Sequence, residues 1–599
     1  MREYSVPPNV QLGPNDNLTD AVWKNEKENA NRTAFRRWDG SQWSDVSSAQ
    51  FAAQVRAIAK GLIALGVEAG SRVSIFADTR YEWTLMDYAI MAAGCATVPI
   101  YPSSSAEQVE WILGDSGSVA VLCGTADHAA TVESVRGNLP DLAHAWTIDE
   151  GAVDTLEEAG KDVEDSAVAE RSATLTPDSL ATLIYTSGTT GRPKGCELTQ
   201  GNLVYEARSV LTAASDVFEP GYSTLLFLPL AHVFGKVIEV ACVEGGIVIG
   251  HWGDIPTMAQ MLPQFAPDFI LSVPRVFEKI YNTAKGTAAA KGNVGLKVFE
   301  FAERTAIEYS KALDTPAGPN AGLRAKHSIA TRLVYSKMHE KTGGNVKYAI
   351  SGGGPLGERL GHFYRGAGIN ILEGYGLTET AAAITVNLPE HQKIGSVGPP
   401  LPGCSVRIAD DGEILLKGPV VYNGYWHNEE ATAEAIEPDG WFHSGDIGKL
   451  DQDGFLTITG RKKEILVTAA GKNVAPAVLE DRINADPIVG ISMVVGDGKP
   501  FIACLISIDM ENWAAWKQNN GKPESASVAD LKDDPDLRAQ IQGAIDNANK
   551  AVSKAESVRK FEILPFELNE ENGDLTPTLK LKRTVVMEKY GDLVESLYS

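Results

Sequence analysis

No stretch of this 599-residue chain approaches the roughly 20 uninterrupted apolar residues that a membrane-spanning helix needs. The nearest run, 237–250, is broken by Glu239, Glu244 and a glycine pair. A secretory leader is missing as well: 1–16, MREYSVPPNVQLGPND, has no apolar core after its single arginine. Cysteine is scarce and scattered, at 95, 123, 196, 242, 404 and 504, with no CxxC pair. That pattern argues against a zinc site or a disulfide framework and predicts buried free thiols in a reducing compartment. A soluble, cytoplasmic protein is therefore expected. Basic residues are in deficit, with 54 Lys and Arg against 78 Asp and Glu and a formal charge of -24. Nucleic acid is disfavoured as a partner, because affinity for it comes mainly from Lys and Arg neutralising phosphates. Any nucleotide site must then be locally basic inside an acidic protein. Repeats and low-complexity tracts are absent too.

What is present is a chain too long for one core, with 44% hydrophobic and 22% charged residues, as in a multidomain globular enzyme. Residues 33–38 and 42–46 flank Asp39-Gly40 and read as a hairpin. Ser47 and Gln50 form a capping box ahead of Phe51, Val55, Ile58, Leu62 and Ile63 at helical spacing, with Gly66 placed as the stop. Strand-like runs at 72–76, 119–122, 180–185, 224–228, 269–273 and 348–350 alternate with helical patterns such as 83–93 and 274–289. This alternation predicts α/β architecture with mixed, mostly parallel sheets and flanking helices. The acidic, Ala-rich segment 152–173 reads as a surface helix or loop, and 285–345, broken by TPAGPNAG, as an inserted helical hairpin. Around and beyond 460, short strands at 453–459 and 464–467, a helix at 476–484, a hairpin of 490–495 and 501–508 and a last strand near 561–565 indicate a small α+β unit. The expected division is 1–460 and 461–599.

The densest chemical signal is Tyr185-Thr186-Ser187-Gly188-Thr189-Thr190-Gly191-Arg192-Pro193-Lys194-Gly195. Glycine lets backbone N–H groups point at oxyanions, while hydroxyls and cations add donors. It departs from the Walker pattern, since Pro193 and Gly195 stand where Gly and Ser/Thr are required. This segment resembles the signature of the adenylate-forming superfamily, which includes acyl-CoA synthetases, luciferases and peptide-synthetase adenylation domains. In matching order follow Leu228-Pro229-Leu230-Ala231-His232-Val233-Phe234-Gly235, Ser351-Gly352-Gly353-Gly354-Pro355-Leu356 and Glu373-Gly374-Tyr375-Gly376-Leu377-Thr378-Glu379-Thr380. Then come His443-Ser444-Gly445-Asp446, with Ser where Thr is commoner, the stretch 454–476, and 575–583, LTPTLKLKR. That last segment resembles the catalytic-lysine motif as long-chain synthetases write it, with Leu579 where other subfamilies have Gly.

The resemblance implies activation of a carboxylic acid by ATP and magnesium, then transfer to coenzyme A. Thr186, Ser187, Gly188, Thr189, Thr190 and Lys194 would hold the outer phosphates. Gly352, Gly353, Gly354, Glu373, Gly374, Tyr375 and Gly376 would form the adenine pocket, with Tyr375 stacked on the base. Thr378 would contact the α-phosphate, Glu379 with Thr186 would serve magnesium, and Asp446 and Arg461 would take the ribose hydroxyls. His232 would line the acyl side and Lys580 would bridge carboxylate and phosphate. Lys463 would be the hinge, Gly471, Lys472 and Asn473 would line the coenzyme A channel, and Phe277 would gate the acyl tunnel. Taken singly, Asp446 reads as a turn residue, Glu379 as a helix N-terminal acid and Lys580 as a solvated lysine; their joint order carries the assignment.

The insertion, the form of the lysine motif and 273–279, VPRVFEK, point by resemblance to a long-chain fatty acid. An acyl-AMP ligase serving a carrier protein is the alternative acceptor reading, although no carrier domain follows Ser599. A decayed nucleotide sensor is disfavoured because no catalytic position is lost, and a luciferase-like oxygenase stays open on fold grounds. The sequence leaves monomer or homodimer open. It also leaves open a peripheral membrane contact, since a lipid-soluble substrate invites one but no amphipathic basic helix announces it.

Overall fold

The computed structural model describes residues 1–186, 192–570, 572–576 and 580–598. The predicted hairpin forms between Thr33–Trp38 and Trp43–Ser47, with Trp38 opposite Trp43. The capping box closes as expected: Gln50 N–H donates to Ser47 Oγ at 3.2 Å, and Ser47 N–H to Gln50 Oε1 at 2.8 Å. The helix it starts, Ser48–Ala64, buries Phe51, Val55, Ile58 and Leu62 along one face.

Three sheets carry the alternating part of the chain. The largest has six strands in the order His144–Thr147, Ser118–Cys123, Arg72–Phe76, Ala96–Ile100, Leu180–Thr186 and Lys194–Thr199. Its first five strands are parallel and the edge strand runs antiparallel. A second sheet sets Phe269–Ser272, Tyr348–Ser351 and Asn370–Tyr375 in parallel and adds the short antiparallel strand Thr385–Val386. In the third, Ser223–Leu226, Val248–His251 and Thr33–Trp38 are parallel, and Trp43–Ser47 closes the edge. A fourth sheet is antiparallel throughout, joining Glu3–Ser5, Ser405–Ile408, Glu413–Lys417, Phe442–Leu450 and Leu456–Arg461. The fold is thus α/β with mixed sheets, mostly parallel outside that fourth layer.

Residues 152–173 are helical at the surface: they form helices Ala152–Gly160 and Asp165–Ser172, and the inner side of the first packs tightly against Ser48–Ala64. A Cβ on Gly61 would lie 2.0 Å from the Leu156 carbonyl oxygen, so this contact requires glycine. The insertion is helical, but it is more than a hairpin. Asn293–Leu313 is followed by Ala321–Ala330, a π-helical turn Thr331–Tyr335 and Ser336–Lys341.

The hydrophobic cores separate near residue 460. The largest cluster runs from Leu18 to Leu456, whereas two others are built between Val474 and Leu597. The smaller unit has a three-stranded sheet, with Val489–Val495 antiparallel and Val558–Ile563 parallel to the central Ile502–Ile508. Ion pairs tie it to the helix Pro274–Ala289: Lys279 to Glu511 at 2.6 Å and Arg275 to Asp509 at 3.9 Å.

Candidate active site

The Gly-rich loop springs from the edge of the six-stranded sheet, where the ladder ends with Tyr185 opposite Gly195 and Thr186 opposite Lys194. Ser187, Gly188, Thr189 and Thr190 lie outside the described residues. Lys194 Nζ stands 4.9 Å from the centre of the Tyr425 ring, and Tyr425 donates its hydroxyl hydrogen to Glu379 Oε1 at 2.8 Å. A shared neighbour, Cys196, brings Thr186, Lys194 and Glu379 together: burial lifts its thiol, Glu379 adds to the rise, and Thr186 and Lys194 oppose it. Loop base, loop hydroxyl and the candidate metal carboxylate therefore lie around one buried thiol.

Tyr375 ends the strand Asn370–Tyr375 and is buried. Its hydroxyl donates to Asp446 Oδ2 at 2.7 Å, and Arg461 Nε lies 3.2 Å from Asp446 Oδ1. The antiparallel register sets Asp446 directly across from Arg461, so residues from two consecutive motifs become neighbours on adjacent strands. Burial raises the Asp446 carboxyl above its usual range, against Arg461, the Tyr375 donation and Lys580. Ser444, the departure from the commoner Thr, keeps a hydroxyl's work: Oγ accepts from Asp446 N–H at 3.0 Å and donates to the Ile414 carbonyl at 2.7 Å.

After Tyr375 the chain folds back so sharply that a Cβ on Gly376 would sit 1.6 Å from the Ala382 carbonyl oxygen. Ala381 and Ala382 complete the turn at φ 54° and 112°, conformations that cost a non-glycine residue energy and persist only where surroundings enforce them. One enforcer is Glu206. It is buried, its Oε1 accepts from Ala383 N–H at 2.7 Å, and its other oxygen has no partner among the described residues. Burial holds this carboxyl well above the usual carboxylate range, against the Ala383 N–H. The turn presents Thr378 and Glu379 on a single 3₁₀ turn, Thr378–Thr380.

Gly353 adopts φ +81°, and a Cβ there would be 3.9 Å from Lys580 Cε; at Gly352 it would be 3.4 Å from the Phe234 ring. Lys580 thus reaches from the small unit into the large one. Reduced solvation and then Arg461 pull its pKa below the ordinary lysine range, while Asp446 and Glu464 resist. His232 caps helix Val233–Gly245, its Nδ1 accepting from Phe234 N–H at 3.1 Å. Burial, with Lys580 second, lowers its pKa to about 3, so the ring is neutral and carries its proton on Nε2. Glu373 accepts from Leu356 N–H at 3.0 Å, and burial, reinforced by Glu358, raises its pKa to about 7.

Other sequence candidates lie away from this convergence. Lys463 is exposed on the 3₁₀ turn Lys462–Glu464 that follows the strand Leu456–Arg461. Gly471, Lys472 and Asn473 are exposed on the small unit, where Lys472 pairs with Glu556 at 3.5 Å. Phe277 is only 1% exposed; its ring meets Tyr364 edge-on at 5.9 Å, and the Tyr364 hydroxyl donates to the Phe277 carbonyl at 2.6 Å. Two residues that the sequence did not single out, Tyr425 and Glu206, hold Glu379 and its turn.

No cluster of three or more His, Cys, Asp or Glu is arranged as a metal cage among the described residues. A single carboxylate near the phosphate loop still suits magnesium, which is commonly held by one or two carboxylates together with substrate phosphates.

Known proteins were compared with this geometry. The AMP-binding enzyme model matches residues 22–426, and the AMP-binding enzyme C-terminal domain model matches 463–599. A long-chain-fatty-acid–CoA ligase, FadD15, of Mycobacterium bovis is 51% identical over 602 residues and covers all of both chains. Among solved structures, a Mycobacterium tuberculosis fatty acyl CoA synthetase is 22% identical at TM-score 0.62, covering 96% of this chain and 99% of its own. The adenylation domain of a carboxylate reductase from Mycobacterium chelonae is 21% identical at TM-score 0.74, covering 98% and 92%. With its motifs in order and its lysine in the cleft, the chain belongs to the AMP-binding enzyme family, the adenylate-forming superfamily.

Proposed function

We propose that this protein is a long-chain-fatty-acid–CoA ligase, forming acyl-AMP and then acyl-CoA. The observation that carries the chemistry is Lys580, brought by the small unit to Gly353 beside His232 and the Tyr375–Asp446–Arg461 chain. The full-length likeness to a ligase of that name supports the substrate class.

In the first step a fatty-acid carboxylate oxygen attacks the α-phosphorus of ATP; the new P–O bond forms as the bond to pyrophosphate breaks. Two anions meet there, so catalysis consists of positioning and charge neutralisation. Lys580 bridges the carboxylate and the α-phosphate, Thr378 contacts that phosphate, and Lys194 with the loop hydroxyls takes the outer ones. Tyr375 stacks on adenine within the glycine-lined pocket, and Asp446 and Arg461 hold the ribose hydroxyls. Magnesium, held by Glu379 and Thr186, would neutralise phosphate charge. In the second step the thiolate of coenzyme A attacks the acyl carbonyl and AMP leaves. His232, neutral and protonated on Nε2, suits a hydrogen-bond donor to the acyl oxygen rather than a charged partner.

The separation of cores supports a division at about 460 and 461, with Lys463 as the hinge. Rotation there would withdraw Lys580 and bring Gly471, Lys472 and Asn473 toward the pantetheine path, with Phe277 gating the acyl tunnel. A cytoplasmic location is supported by six free, buried cysteines.

Wild-type enzyme with ATP, magnesium, palmitate and coenzyme A should yield AMP, pyrophosphate and palmitoyl-CoA. Accumulation of acyl-AMP without thioester would favour the carrier-protein alternative. Lys580→Ala should cripple adenylation yet retain thioester formation from supplied acyl-AMP; equal loss in both half-reactions would remove the role assigned to Lys580.

A further inference from the structure

The Gly-rich loop joins the last two strands of its sheet, and on the outer side of the edge strand only a short antiparallel bridge, Cys196 to Tyr425, meets it among the described residues. Its outgoing arm leaves the ladder at Pro193, which has no N–H to give. What receives the arm is the helix Ala106–Ser116, fixed at its start by a capping box between Ser105 and Gln108. Trp111 Nε1 donates to the Pro193 carbonyl at 2.9 Å, and the face of the same indole carries the Arg192 guanidinium at 4.6 Å. One turn on, on the same helix face, Asp115 Oδ2 accepts the Tyr185 hydroxyl at 2.6 Å. A second indole completes the brace, with Trp426 Nε1 donating to the Asp115 carbonyl at 3.0 Å and its backbone N–H to the Gly195 carbonyl at 2.8 Å.

Both arms are therefore tied to one helix, the incoming arm through Tyr185 and the outgoing arm through Pro193. We infer that Trp111 is a positioning residue for triphosphate binding: its N–H fixes the outgoing arm, and its ring holds Arg192 at the mouth of the loop. A bare surface stack would explain the Arg192 contact alone. It would not explain an indole N–H spent on the one carbonyl where the ladder stops, opposite a carboxylate doing the same for the other arm.

This inference rests on the reading of the loop as the grip on the outer phosphates of ATP. The test compares binding of a β,γ-methylene analogue of ATP and of AMP to wild type, Trp111→Phe and Trp111→Leu. Phe keeps a ring face and loses the donor, so analogue affinity should fall about five- to tenfold, the range of one hydrogen bond. AMP has no outer phosphates and should bind within about twofold of wild type. The KM for ATP should rise in parallel, with thioester formation from supplied acyl-AMP unchanged. Leu, which also loses the ring, should cost more; if that variant fails to fold, the Phe variant decides. Unchanged analogue binding by Trp111→Phe, or equal weakening of analogue and AMP, overturns the role. A wild type that binds AMP but not the analogue would instead overturn the phosphate reading of the loop, and this inference with it.

Discussion

Replacing Glu373 with Gln should make the protein more stable at pH 8, by about 3 kcal/mol, and change it by less than about 1 kcal/mol at pH 5. The carboxyl is 8% exposed, accepts a backbone hydrogen bond from Leu356, and has its pKa raised from 4.5 to about 7. In the unfolded chain it ionises near 4.5; in the folded chain it stays protonated until about 7. Between those values the native state holds one proton more than the unfolded state, so stability falls as pH rises, and the loss is complete above 7. At about 1.4 kcal/mol per pH unit, that interval amounts to about 3 kcal/mol. Glutamine keeps the oxygen that faces Leu356 and cannot ionise, so it escapes the loss. Denaturant unfolding of both proteins at pH 5, 6, 7 and 8, followed by tryptophan fluorescence, reads the difference directly. Curves that coincide at pH 8, or a variant less stable there, would refute a neutral buried Glu373.

Tyr375→Phe removes a hydrogen bond to a buried charged acceptor, of about 1.5–3 kcal/mol, and should raise the KM for ATP by about ten- to a hundredfold; an unchanged KM would separate Tyr375 from nucleotide binding. Lys236 lies fully inside the large core, paired with Asp87 and, at 3.2 Å, with Glu239. Lys236→Met should cost about 3–5 kcal/mol by leaving Asp87 and Glu239 buried without their cation, and equal denaturation midpoints would contradict this. Lys463→Pro should spare adenylation and stop thioester formation, whereas normal overall turnover would reject the hinge.

Much of this molecule is readable before folding where local and global cues agree. Asp39-Gly40, the Ser47–Gln50 box and the strands 72–76 and 269–273 carry their own signatures, and each appears, the last one residue shorter at Phe269–Ser272. Of the antiparallel layer only the last strand, read at 453–459 and found at Leu456–Arg461, is legible in the sequence, and the rest is not for a physical reason. Phe442–Leu450 buries Phe442, Asp446 and Leu450, four residues apart, and its remaining positions are half-covered or exposed, so period-two alternation never emerges. The site divides similarly. Motif residues announce themselves by composition, but Tyr425 meets Glu379 across 46 positions and Glu206 meets Ala383 across 177. A lone Tyr or Glu in a strand or helix gives no local sign of such a partner.

Arg583 opens the last helix three residues beyond Lys580. Its guanidinium holds Glu480, reaches the Val494 carbonyl at 3.2 Å and lies 3.5 Å from Glu464 on the turn that contains Lys463. The lysine and the proposed joint are thereby fastened into one stiff crank. On the proposed rotation a crank has no slack: the same swing that admits the thiol would lift the lysine clear. Pyrophosphate would then find no lysine in place to help it reverse the first step, and acyl-AMP, once made, would be committed forward by the mechanics of a single arm.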